Sequence, residues 1–187
     1  MNTSRGFTLI ELLVTVALAV VLVTVGIPGM RDFLANGRLT TQSNQIVQTL
    51  NFARNQAISS AAVVRVRACT RGGTTNWGQG WIIFKAGAIS ANTGVDCADP
   101  TATVVAADTF RIQDPTDGTA ILAVDGTDTA IVEYDFNGQG FPSSATQTAV
   151  QITDNASGFT KAICISAQGR PAVQAKGTTT ATCLGGG

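Results

Sequence analysis

The sequence predicts an α+β protein in which one long N-terminal helix packs on an antiparallel β-sheet head. An apolar run extends from Phe7 to Ile27. A second stretch, from Met30 to about Ser60, repeats apolar residues every three or four positions, as an amphipathic helix does. From Ala61 onward the pattern changes to alternation, with β-branched residues between Gly-, Asp- and Asn-rich turns. A chain of 187 residues suits one such domain with an appendage.

The apolar run is long enough to cross a membrane. At 1.5 Å per residue its helix spans about 31 Å, the thickness of a bilayer core. A cleavable secretory signal requires a small-x-small site after the run, and Gly26–Met30 fits that requirement poorly. A lipoprotein signal requires a cysteine there, and the first cysteine is Cys69. We therefore expect a retained transmembrane segment.

One carboxylate, Glu11, interrupts this run. A charge near the middle of a membrane span costs roughly 2.5–3.5 kcal/mol, so such residues generally have a function. Glu11 follows Phe7 by four positions, which places both residues on one face of a helix.

The stretch Gly6-Phe7-Thr8-Leu9-Ile10-Glu11 resembles the class III signal of type IV prepilins and type II secretion pseudopilins. The resemblance implies that a prepilin peptidase cuts between Gly6 and Phe7 and that Phe7 is then N-methylated. It also implies that the helix is retained in the inner membrane as a single pass, with the head in the periplasm. Arg5 agrees with a cytoplasmic leader. In a filament, Glu11 of one subunit would neutralise the new Phe7 amine of a neighbour.

These features divide the chain into four parts. Residues 1–6 are a leader, 7–29 a transmembrane and assembly helix, 30–60 the second half of the long helix, and 61–187 the head. Pro28, between Gly26 and Gly29, predicts a break or kink after the membrane segment. Beyond it the residues expected to face the head are Leu39, Ile46, Leu50, Ala53 and Ala57.

The head contains eight candidate strands. They are Ala62–Cys69, Gly80–Phe84, Val104–Ile112, Ala120–Val124, Ile131–Phe136, Val150–Thr153, Lys161–Ser166 and Ala172–Gln174. Trp77 and Trp81 are expected to be structural, with Trp81 in the core and Trp77 covering it. Arg65 and Arg67 share a strand face and are expected to pair with the acidic middle of the chain.

Four cysteines, Cys69, Cys97, Cys164 and Cys183, all follow the apolar run. An even number in an exported domain predicts two disulfides. Three pairings are possible. We favour the sequential one, Cys69–Cys97 with Cys164–Cys183, because each bond would then hold a loop beside a strand.

No catalytic chemistry is evident in the sequence. It contains no histidine and no GxSxG, HExxH or P-loop motif, and we expect no enzyme activity, no cofactor and no metal. The segment Asp125-Gly126-Thr127-Asp128 lacks the regular ligand spacing of a calcium loop, and Asp is an ordinary turn residue.

Within the head the chain resembles the GspH/FimT minor pilins. The resemblance lies in residues 36–58 (NGRLTTQSNQIVQTLNFARNQAI), 77–84 (WGQGWIIF), 136–140 (FNGQG) and 164–170 (CISAQGR). It implies a minor pilin that acts in pilus initiation or the tip complex, with roles in twitching, adhesion or DNA uptake. The implied partners are other major and minor pilins. A GspH-like pseudopilin of type II secretion is the alternative within the fold.

A second alternative is a FimT-like DNA-binding pilin. That activity is associated with a basic GRxR-like motif, which corresponds here to Gly169-Arg170-Pro171-Ala172, with alanine in place of the second arginine. Residues 155–187 contain three cations and no acid, whereas residues 96–154 contain ten acids. The candidate DNA contacts are Lys161, Arg170 and Lys176.

Overall fold

A single helix, α1, extends from Leu9 to Ser60 in this computed structural model. The structure describes residues 6–71, 74–87, 95–98, 108–116, 118–144 and 146–184, with backbone only at 25–28. The leader residues 1–5 lie outside this part of the chain. The prediction of one long helix is confirmed. The helix runs through Pro28, so of the predicted break or kink the break is wrong, because a proline removes only one backbone donor and flanking turns can keep the helix. A kink at this position stays a prediction.

The two halves of α1 differ in burial. All described side chains from Phe7 to Thr24 are exposed. In the second half, buried residues recur at steps of three and four. They are Ala35, Leu39, Ser43, Ile46, Leu50, Ala53 and Ala57, together with Thr49. All five residues predicted to face the head are therefore in the interface with it.

Among the described residues the head consists of ten strands, one short α-helix and a 3₁₀-helix at Trp77–Gln79. The strands are β1 (Val64–Ala68), β2 (Thr70–Arg71), β3 (Thr74–Thr75), β4 (Trp81–Lys85), β5 (Thr109–Gln113), β6 (Thr119–Val124), β7 (Glu133–Phe136), β8 (Thr148–Asp154), β9 (Thr160–Ile165) and β10 (Pro171–Lys176), and the helix is α2 (Thr180–Leu184). The hairpin β2–β3 and helix α2 were not predicted. The predicted strand Val104–Ile112 falls partly outside the described residues, and its described part belongs to β5.

The predicted antiparallel β-sheet head is confirmed: eight of the strands form two four-stranded sheets, and β2 and β3 pair separately. The first sheet has the order β5-β4-β1-β7 and the second the order β10-β9-β8-β6. The chain leaves the first sheet after β5, builds β6 into the second, and returns to the first with β7. Sequence alternation specifies strands but not which strands pair, so this division was not visible beforehand.

One apolar core lies among α1 and the inner faces of both sheets. Leu50 of α1 belongs to the same cluster as Val66 and Trp81 of the first sheet and as Ile152 and Ile163 of the second. The second half of the helix thus holds the two sheets together, and the exposed first half projects from a single packed head.

Both disulfides fasten a segment to the outer face of a sheet. Cys69 follows β1 and is bonded to Cys97, beside a small cluster of Val95, Ile82 and Phe84. Cys164 of β9 is bonded to Cys183 of α2, which belongs to a cluster containing Val124, Ala149 and Ala162. This is the sequential pairing. In the loop-entropy model each bond, closing 28 or 19 residues, contributes about 3 kcal/mol to stability.

Candidate functional site: the assembly helix and the base of the head

Gly6 and Phe7 form an accessible segment ahead of the helix. Phe7 is 85% exposed, and a Cβ placed at Gly6 would have no neighbour within 4 Å. Cleavage between Gly6 and Phe7 and methylation of Phe7 stay predictions.

Thr8 caps the helix, and Glu11 lies in its first turn. The Thr8 hydroxyl oxygen accepts a hydrogen bond from the backbone N–H of Glu11 at 3.3 Å. Thr-x-x-Glu is the spacing of a capping box, and a carboxylate near a helix N-terminus is favoured by the helix dipole. This cap was not predicted, although Thr8 and Glu11 have the required spacing in the sequence. The cap fixes Glu11 one turn above Phe7 on an otherwise apolar surface.

The first half of α1 presents a continuous apolar surface. Its most apolar 18-residue window has a mean hydropathy of 2.7, and none of that window is buried within the subunit. The exposed large side chains are Leu9, Ile10, Leu12, Leu13, Val14, Val16, Leu18, Val20, Val21, Leu22 and Val23. Such a surface has to be covered by lipid or by other apolar helices. Glu11 is the one charged side chain within it.

The two tryptophans are structural, as predicted. The Trp81 indole N–H donates to the Thr49 hydroxyl at 3.0 Å and so links the first sheet to α1. The partly buried Trp77 donates to the Ile131 carbonyl at 2.7 Å and packs 6.4 Å from Trp81, measured between ring centroids. The cavity that both rings line has only about 20 Å³, enough for one water molecule and too small for a ligand.

Arg65 and Arg67 form ion pairs with acidic residues of the same chain. Arg65 donates to both carboxylate oxygens of Asp135 at 2.7 Å, and it also lies 3.4 Å from Glu133. Arg67 reaches Glu133 at 3.8 Å. The hydrogen bonds to Asp135 raise the pKa of Arg65 although burial acts in the opposite direction. The predicted pairing with the acidic middle of the chain is confirmed.

The three candidate DNA contacts do not converge. Lys161 and Lys176 are cross-strand neighbours at one end of the β9–β10 hairpin. Arg170 lies in the turn at the other end, roughly 15 Å away at the usual strand rise. Lys161 donates to the Thr40 hydroxyl at 3.3 Å, and the Lys176 ammonium lies 3.2 Å from the centre of the Phe159 ring. The structure brings the two lysines together and leaves Arg170 apart.

A buried carboxylate at the base of the head was not predicted. Asp154 is 0% exposed. Its Oδ2 accepts hydrogen bonds from the hydroxyl (2.7 Å) and the backbone N–H (2.9 Å) of Ser157. Its Oδ1 lies 3.4 Å from Arg38 Nε. Burial by itself raises the pKa of Asp154, but the Ser157 bonds and the Arg38 charge outweigh it, and the net pKa is lowered. Asp154-x-x-Ser157 is a turn spacing, so the sequence indicated the turn but not its burial.

Because the folded-state pKa of Asp154 lies below its unfolded value, the ionised residue stabilises the fold above the unfolded pKa, and this contribution is lost as pH falls through the folded pKa. We expect the free energy of unfolding to decline with acidification below about pH 4. The variant Asp154→Asn should be less stable at neutral pH and show a shallower decline. Denaturant titrations from pH 2 to 7 measure this, with exposed Asp32→Asn as control; equal slopes for wild type and Asp154→Asn would contradict it.

No metal site is built from the described residues. Among them no group of three or more His, Cys, Asp or Glu side chains is placed to hold an ion. Asp125 Oδ1 instead accepts hydrogen bonds from the backbone N–H groups of Thr127 and Thr129 and from the Thr127 hydroxyl. It is a turn residue.

Fold and site together define a pilin-like subunit: a capped apolar rod with one acid near its start, joined to an α+β head. A family model described as a prokaryotic N-terminal methylation motif matches residues 1–27, and one described as type II transport protein GspH matches residues 42–169. The chain belongs to the GspH family. Both matches agree with a pilin-like subunit whose N-terminal segment carries a methylation motif.

Solved structures share the fold. The type IV minor pilin FimU of Pseudomonas aeruginosa matches with a TM-score of 0.55 and 18% identity, over 76% of this chain and 92% of that one. The minor pseudopilin EpsH from the type 2 secretion system of Vibrio cholerae matches with a TM-score of 0.51 and 12% identity, over 76% of this chain and 99% of that one. No curated protein matches the sequence. The resemblance to the type IV pilin fold is confirmed.

Proposed function

We propose that this protein is a minor pilin of a type IV pilus and acts when assembly of the filament begins, in the complex that becomes its tip. The observation that carries the proposal is the first half of α1, an apolar surface with one acid that the subunit itself does not cover. Twitching, adhesion or DNA uptake would follow from the pilus. A secretion pseudopilus is the alternative, because it uses the same helix chemistry.

The proposed pathway has two stages. In the first, the helix spans the inner membrane with the head in the periplasm, and prepilin peptidase removes residues 1–6. In the second, the helix leaves the lipid for a bundle of pilin helices, where the Glu11 carboxylate meets the Phe7 amine of a neighbouring major or minor pilin. Breaking such a pair in an apolar bundle costs about 3–5 kcal/mol, so the pair selects the correct register.

Two measurements in the native host test this proposal. Mass spectrometry of the mature protein should show a chain that begins with N-methylated Phe7. Deletion of the gene should reduce surface pili and leave exoprotein secretion intact. A chain that begins elsewhere would overturn the processing step, and loss of secretion with normal pili would identify a pseudopilin instead.

DNA binding is a second candidate, favoured by the adjacent Lys161 and Lys176 and by the acid-free sequence around them. Three phosphate contacts would give a slope of about −2.7 in log affinity against log salt, which is about a 40-fold loss between 50 and 200 mM salt. We expect Arg170→Ala to reduce this slope by about one and exposed Arg71→Ala to leave it unchanged. Gel shifts over a salt series measure both. No shift at 50 mM salt would remove this candidate, and equal slopes for the two variants would exclude Arg170 from the contact.

A further inference from the structure

A groove lies where α1 meets the head. Its volume is about 370 Å³, and it is formed by one side of the helix from Arg31 to Arg38 and by the turn that joins β8 to β9. Asp154, Ser157 and Phe159 of that turn line the groove. Neither the capped start of α1 nor the core of the head uses this surface.

Four cations surround the groove. Arg31 and Arg38 line it directly. Lys176 lies over the ring of Phe159, which forms part of the groove wall, and Lys161 is the cross-strand neighbour of Lys176 and is bonded to Thr40 of the helix. The described acids that line the groove are two, Asp32 and Asp154. Four cations against these two acids leave a net positive charge, and Arg38, although its Nε lies 3.4 Å from Asp154 Oδ1, keeps 44% of its side chain exposed.

The groove lies a short distance along α1 beyond the end of the apolar segment. Since α1 is continuous, Arg31 lies four residues beyond Ile27, about 6 Å along the helix, and Arg38 lies about 16 Å beyond it. The headgroup layer of a bilayer is roughly 5–8 Å deep on each side. Arg31 is therefore at headgroup level when the apolar run spans the bilayer, and the other cations lie within one or two Debye lengths of the lipid surface, about 8 Å each at physiological salt.

We propose that this groove and its four cations bind the phosphate groups of anionic phospholipids and hold the head against the membrane before the subunit joins a filament. Guanidinium groups match phosphate oxygens geometrically, and lysines add charge at the rim. Each cation near an anionic surface strengthens the contact about fivefold. The inference rests on the proposed membrane stage. The head would therefore stay bound to the membrane surface until the helix leaves the bilayer for a filament.

Hydrogen exchange of the full-length protein in vesicles tests the contact. The chain is reconstituted in phosphatidylcholine vesicles and in vesicles with one-third phosphatidylglycerol, and flotation establishes insertion in both. We expect the backbone amides of residues 155–158 to exchange at least fivefold more slowly in the anionic vesicles, and 0.5 M NaCl to abolish the difference. The turn at residues 166–170, at the other end of the β9–β10 hairpin, should show no difference.

The double variant Lys161→Gln, Lys176→Gln should lose the slowing, whereas Arg170→Gln, a change of the same kind on the same hairpin, should keep it. Equal exchange in the two kinds of vesicle, despite insertion in both, would overturn the lipid contact and leave the proposed function standing. Slowing that appears only when a second pilin is added would overturn it in favour of a protein partner. Failure to float with either vesicle would overturn the membrane stage itself, and the lipid contact with it.

Discussion

Replacement of Glu11 by alanine is expected to leave the protein in the membrane and to reduce its incorporation into filaments at least about a hundredfold. Glu11 is the one charge on an apolar helix surface that the subunit does not bury. In the filament its loss leaves the Phe7 amine of a neighbour buried and unpaired, which costs about 3–5 kcal/mol. In the bilayer the same change removes a cost of roughly 2.5–3.5 kcal/mol, so insertion should not suffer.

The measurement compares the protein in sheared filaments with the protein in the membrane fraction, by quantitative immunoblot. Thr15→Ala is a matched control, because Thr15 lies one turn beyond Glu11, is also exposed, and its hydroxyl donates to the Leu12 carbonyl within its own helix. Mass spectrometry of Glu11→Ala shows whether its leader is removed. A processed Glu11→Ala chain found in filaments at the wild-type level would refute the pairing of Glu11 with the amine.

Replacement of Trp81 by alanine is expected to lower the free energy of unfolding of the head by about 3–5 kcal/mol, the usual cost of truncating a buried aromatic side chain. Trp81 is 1% exposed and belongs to the core cluster shared by α1 and both sheets. It already borders a small cavity, which the substitution would enlarge. The hydroxyl of buried Thr49 would also lose its hydrogen-bond donor.

Denaturant titration of the oxidised full-length protein in detergent measures this loss through the midpoint and slope of the transition. Thr49→Val removes the hydrogen bond and keeps the ring, and should cost about 1–3 kcal/mol. Trp77→Ala truncates a partly buried ring and should cost less than Trp81→Ala. A loss below 1 kcal/mol for Trp81→Ala would show that the interface between helix and sheet does not depend on this side chain.

The sequence predicted best where one-dimensional periodicity reports burial directly. The spacing of Leu39, Ile46, Leu50, Ala53 and Ala57 identified the face of α1 that meets the head, and all five are buried. It predicted less well where a residue acts through distant contacts. In the sequence Asp154 is one acid in a turn. Only the structure shows that it is buried at the base of the head and pairs with Arg38, more than a hundred positions earlier.

The prediction that three cations form one DNA-binding group, made from charge composition, is not matched by their positions in the fold. Lys161, Arg170 and Lys176 form an acid-free group in the sequence, but a hairpin places its turn and its open end at opposite ends of the strands. Arg170 is thereby separated from the two lysines. Those lysines join Arg31 and Arg38, which the sequence places far away, around one groove.

The sequence by itself determined the long helix, its apolar first half, the single acid at Glu11, the β-rich head and the even set of cysteines. Each of these follows from local pattern, because the 3.6-residue and two-residue periods record which face of a helix or strand is buried. The tertiary structure decided the two-sheet division, the pairing of the cysteines across each outer face, and the grouping of cations at the base of the head. These depend on which strands lie side by side, and strand pairing is fixed by the packing of the whole core on α1 rather than by any one segment.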